Sequence, residues 1–118
     1  MTGKEFYRFL SARLEKELSD FVSSDDLCLI DFLSGSCEVW RELCDAVKGL
    51  TKLPEKRQSE KITQLMRDNR EKMADQLSRY PHLRDVPRRV KGAQKAFNEA
   101  DWVWLTGLLT DKEANSHV

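Results

Sequence analysis

The chain has 118 residues, long enough for one domain and short for two. Its hydrophobic content of 40% excludes a disordered chain, and plentiful Lys, Arg and Glu beside five Gly and three Pro favour helix. Twenty basic and twenty acidic side chains cancel, yet they are segregated: residues 1–51 carry six Lys/Arg against ten Asp/Glu, residues 52–95 thirteen against six, and residues 96–118 one against four.

Thr2-Gly3-Lys4-Glu5 has capping-box spacing and opens a first helix. Phe6, Leu10, Leu14, Leu18 and Phe21 repeat at helical spacing along one buried face, widened by Phe9 and Val22. Ser23-Ser24-Asp25-Asp26 breaks that pattern and offers a cap for a second helix. Leu27, Leu29, Ile30, Phe32 and Leu33 are apolar nearly all round, which predicts a short central helix ended by Gly35-Ser36. Cys37, Trp40, Cys44 and Val47 share the face of a third helix, with Gly49 at its C-terminal cap.

Pro54 suits the start of the longest helix, over roughly 54–80, whose narrow stripe is Ile62, Leu65, Met66, Met73, Leu77 and Tyr80. Asp68–Lys72 and Asp75–Arg79 are favourable pairs one turn apart. Pro81 stops it, and 82–85 form a turn in which Asp85 can cap the next helix. Val86, Val90, Ala93 and Phe97 make the next buried stripe. Trp102, Trp104, Leu105, Leu108 and Leu109 close the fold, as a continuation or as a new helix capped by Asp101. The expected architecture is all-α: a single compact bundle of five to six helices with short loops over 1–110, followed by a polar tail over 111–118. Its expected core is Phe6, Leu10, Leu14, Leu18, Leu29, Ile30, Leu33, Trp40, Cys44, Leu77, Val90, Phe97 and Trp104.

Two constellations are candidates for function. Arg84, Arg88, Lys91 and Lys95 step by four, three and four residues, and Arg89 lies beside them. On one helix they form a ridge roughly 16 Å long, a few phosphate spacings on a nucleic-acid backbone. Arg67 and Arg70 add positive charge on the preceding helix. Such a surface would hold a duplex, RNA or DNA, without reading its sequence. The bland reading, a solvated helix face, is favoured by a pI of about 6.7. The second constellation is Trp102 with Leu105 and Leu109. Trp102 and Trp104 point about 200° apart on a helix, so one can enter the core while the other meets a partner or a second copy of the chain.

Other chemistry is poorly represented. Cys28, Cys37 and Cys44 lack metal-ligand spacing, and His82 and His117 have no partner near them in sequence. The cysteines read as small core residues, so neither metal nor cofactor is expected. No phosphate loop or nucleophile motif is present, and no residue is assigned a catalytic role. Asp31 and Asp101 are the acids expected to be partly buried, in a cap or an arginine pair. Residues 1–23 lack the apolar core of a secretory signal. The Leu27–Leu33 run falls far short of the about 20 residues that span a bilayer. The expectation is therefore an intracellular protein, cytoplasmic or nuclear, that is not secreted and does not engage a membrane. Its leading function is non-enzymatic, an adaptor or regulator binding another protein or itself, with duplex nucleic-acid binding through 52–95 as the alternative.

Overall fold

The computed structural model describes residues 1–116, with side chains through Thr110; His117 and Val118 lie outside the described residues. The described residues form four α-helices: α1 Gly3–Ser23, α2 Leu27–Leu50, α3 Glu55–Leu77 and α4 Arg88–Ser116, with a 3-10 turn at Leu83–Asp85. Four replaces the expected five to six because two breaks do not occur. α2 runs unbroken through Gly35-Ser36, where no glycine takes a positive φ. There the Ser36 hydroxyl donates to Glu17 Oε2 at 2.8 Å instead of capping a helix. α4 likewise passes through Asp101, whose carboxylate pairs with Arg70. The tail expected at 111–118 begins inside α4, which is helical to Ser116.

The starts of α1 and α2 have the causes read from the sequence, whereas Asp85, expected to cap the last helix, lies in the 3-10 turn before Pro87 and α4 begins at Arg88. Thr2 and Glu5 close a reciprocal capping box on α1. Asp26 accepts from the backbone N–H of Cys28 and Leu29 at the start of α2. Gly49 is interior to α2, which ends where the Thr51 N–H reaches the carbonyls of Val47 and Lys48. α3 stops at Leu77, so Tyr80 falls in the following turn, as Asp85 does. Asp75 pairs with Arg79 at 3.7 Å, whereas Asp68 accepts from Gln64 instead of meeting Lys72.

Successive helices alternate in direction. Glu17–Ser36 and Phe9–Trp40 contacts set α1 antiparallel to α2. Thr63–Trp104 and Arg70–Asp101 contacts set α3 antiparallel to α4. That leaves α2 and α4 parallel, and they touch backbone to backbone. A Cβ on Gly35 would lie 1.8 Å from the Arg89 carbonyl oxygen, and one on Gly92 would lie 1.9 Å from that of Phe32. This crossing closes one diagonal of the bundle and brings Trp40, Leu43 and Val47 into one core with Phe97, Ala100 and Trp104.

Phe6, Leu10, Ile62 and Met66 complete that core from α1 and α3. Two expected core residues, Leu18 and Leu29, are each 43% exposed. Asp31 is exposed as well, and so is Cys28. All four belong to the upper end of the α1–α2 hairpin, which projects past the crossing at Gly35, so nothing covers its stripes. Leu14, Ile30, Leu77 and Val90 are half-buried. Among the described residues no helix is long and apolar enough to cross a membrane.

Candidate functional site

The solvent face of α4 collects both constellations. Arg88, Lys91, Lys95, Trp102, Leu105 and Leu109 follow heptad steps of three, four and seven, so they lie along one line of the helix. The buried line, Gly92, Ala96, Ala100 and Trp104, faces the other way. The exposed stripe is basic in its first half and apolar in its second. Trp102 is 71% exposed and Leu109 64% exposed, with Leu105 between them at the surface. Trp104, two residues on, is 1% exposed and donates its indole N–H to Thr63 Oγ1 at 3.0 Å. The two tryptophans therefore divide as their spacing requires, one into the core and one into solvent.

The basic residues do not form one surface. Arg84 sits in the 3-10 turn, before Pro87 and outside α4, so the helical ridge is Arg88 to Lys95, roughly 10 Å. Arg89 is bound to Glu38 of α2, and this hydrogen bond raises the guanidinium's pKa. Arg70 forms two bonds to Asp101, Nε to Oδ2 at 2.9 Å and Nη2 to Oδ1 at 2.7 Å, which again raises its pKa. Lys95 lies over the Phe32 ring, 5.7 Å from its centroid. Part of the segregated charge is thus consumed inside the molecule: Arg89–Glu38 ties the basic segment to the N-terminal acidic one, and Arg70–Asp101 ties it to the C-terminal one. Arg67, Arg84, Arg88 and Lys91 are exposed and form no ion pair among the described residues.

A groove of about 470 Å³ opens between α2, α3 and α4, over Val39, Leu43, Leu65, Met73, Val90 and Phe97. It exists because α3 is anchored at its start, through Gln58, Ile62 and Met66, and is only half-buried at Met73 and Leu77. Glu38, Glu42, Lys72 and Arg89 border the groove. No nucleophile–base pair faces it. Among the described residues no group of three or more His, Cys, Asp or Glu side chains is placed to hold a metal ion.

The cysteines separate by environment. Cys37 and Cys44 are buried, and desolvation pushes both thiols above their usual pKa; Cys28 is exposed at the start of α2. A thiol-reactive chromophore added to native protein is therefore expected to modify Cys28 promptly and the other two only after denaturant is added. Three thiols reacting together in the native state would contradict this burial.

Comparison with protein-family models, with curated proteins and with solved structures finds no match.

Proposed function

We propose that the protein is a non-enzymatic interaction module, an adaptor or regulator, that binds another protein along the solvent face of α4. The observation that carries this is the exposure of Trp102 in line with Leu105 and Leu109. Their spacing, i, i+3 and i+7, is the seam that a partner helix packs against, and tryptophan is enriched where such contacts concentrate binding energy. Arg88 and Lys91 continue the seam as a charged flank that steers and orients the partner. The compartment we propose for these contacts is intracellular, cytoplasmic or nuclear, in keeping with three cysteines that form no disulfide.

The test replaces Trp102 with a photo-crosslinking phenylalanine analogue and irradiates the protein in its native extract. A discrete adduct that Leu109→Glu abolishes is expected. Absence of any adduct, or one indifferent to Leu109→Glu, counts against the reading.

A second reading rests on Arg88 and Lys91, which stand exposed and unpaired near Arg84. These residues would contact the phosphates of duplex RNA or DNA, and the anisotropy of a labelled duplex reports it. Binding with a steep salt slope, lost when Arg84, Arg88, Lys91 and Lys95 are changed to Glu, would favour nucleic acid over protein as the partner. The internal pairing of Arg70 and Arg89 leaves fewer free cations than the sequence offers, which is why protein binding ranks first.

A further inference from the structure

The crossing of α2 and α4 leaves two unlike patches at one end of the bundle. The α1–α2 hairpin projects there, with Val22 81% and Leu27 80% exposed, flanked by the exposed carboxylates of Asp20, Asp25 and Asp31. None of these carboxylates forms an ion pair among the described residues. The α3–α4 connection reaches the same end, with exposed Leu83 between His82 and Arg84, and Arg88 just beyond. The two patches border a shared cleft, lined by Phe21, Leu27, Ile30 and Asp31 on one side and by Arg88 on the other. One is apolar and acidic; the other is apolar and carries Arg84 and Arg88 against the single exposed carboxylate of Asp85, so it is net basic.

We infer that this end is a homodimer interface, in which the acidic hairpin of one copy docks on the basic 82–88 connection of a second copy and receives the same contact in return. A two-fold axis makes any residue pair across an interface occur twice, so unlike patches side by side on one end are self-complementary. The charge match sets the register and the exposed leucines and valine supply the buried area. This explains a feature the internal ion pairs among the described residues leave over: at this end the hairpin keeps unpaired carboxylates, and the adjoining connection keeps two unpaired guanidiniums against one carboxylate, Asp85. The surface shares Arg88 with the charged flank of the α4 seam proposed above and contains none of its apolar residues Trp102, Leu105 and Leu109.

Light scattering and sedimentation of the full chain test it, at about 100 µM protein, because association follows protomer concentration. A dimer is expected that weakens between about 50 mM and 1 M salt. Asp20→Lys with Asp25→Lys, and separately Arg84→Glu with Arg88→Glu, each weaken association at least about tenfold, because like charges then face one another twice. Mixing the two variants restores a dimer, since the introduced lysines of one then face the introduced glutamates of the other. Leu27→Glu abolishes association with unchanged helical circular dichroism, its side chain being solvent-exposed in the monomer. Trp102→Ala leaves the dimer intact. A strictly monomeric wild-type chain overturns the inference, as does a mixture no more dimeric than its parts, or a dimer that Trp102→Ala dissolves.

Discussion

Alanine at Gly35 or Gly92 is expected to destabilise the domain by about 3 kcal/mol, lowering the melting temperature by about 10 °C, although alanine is the better helix former by about 1 kcal/mol. The sign is decided by what the new methyl would meet. At both positions it would lie under 2 Å from a backbone carbonyl oxygen of the facing helix, an atom with no rotamer to change. Relief requires α2 and α4 to part along the seam that buries Trp40 and Phe97. Because one separation relieves both clashes, the double variant should cost distinctly less than the sum of the singles. Gly49 is the control: nothing lies within 4 Å of a Cβ there, so alanine should stabilise by about 0.5–1 kcal/mol. Urea unfolding of the four variants measures all of this. A Gly92→Ala protein as stable as the wild type would mean that the helices do not touch at this crossing.

That same crossing marks the boundary of what was legible in the amino-acid order. Helical periodicity and capping residues placed the starts of α1 and α2, and the stripes Phe6–Leu10, Trp40–Cys44 and Ile62–Met66 are indeed buried. Gly35-Ser36, read as local punctuation, is a tertiary contact. A glycine between apolar turns breaks a helix in isolation and joins two helices in a bundle, and only the facing residue tells which. The same reason explains Leu18 and Leu29. Periodicity reports which face of a helix is apolar, and it carries no information on whether the neighbouring helix extends far enough to cover that face. Here α4 starts too low, so the upper turns of the hairpin stay uncovered. At the candidate site, spacing sufficed to separate Trp102 from Trp104, because an angle of about 200° on a helix forces opposite environments. The partners of Arg70 and Arg89 were not legible. Each meets a carboxylate more than 30 positions away, beyond the reach of any i,i+4 rule.

The division of the tryptophans yields the largest contrast expected between neighbouring residues. Trp104→Ala removes a fully enclosed indole that packs at a tilt against Phe6, ring centroids 5.1 Å apart, and bonds Thr63, so it should cost about 3–5 kcal/mol. A domain of this size has about 5–15 kcal/mol in total, so the loss takes a large share of it and the melting temperature should fall by about 10–20 °C. Trp104→Phe should cost less, chiefly the cavity and a hydrogen bond of about 1 kcal/mol. Trp40→Phe should be milder still, because the Trp40 indole N–H is buried without an acceptor and its removal recovers desolvation energy. Trp102→Ala, at a site 71% exposed, should leave stability within about 0.5 kcal/mol of wild type. Iodide quenching separates the cases spectroscopically: Trp40 and Trp104 are enclosed, so the quenchable emission of the native chain should vanish in Trp102→Ala alone. If Trp102→Ala instead destabilised the domain as Trp104→Ala does, its ring would be part of the core and the seam proposed for a partner would already be filled. A Leu109→Glu protein that keeps its melting curve and loses the adduct formed from position 102 would leave binding as the remaining reason for an indole exposed at that position.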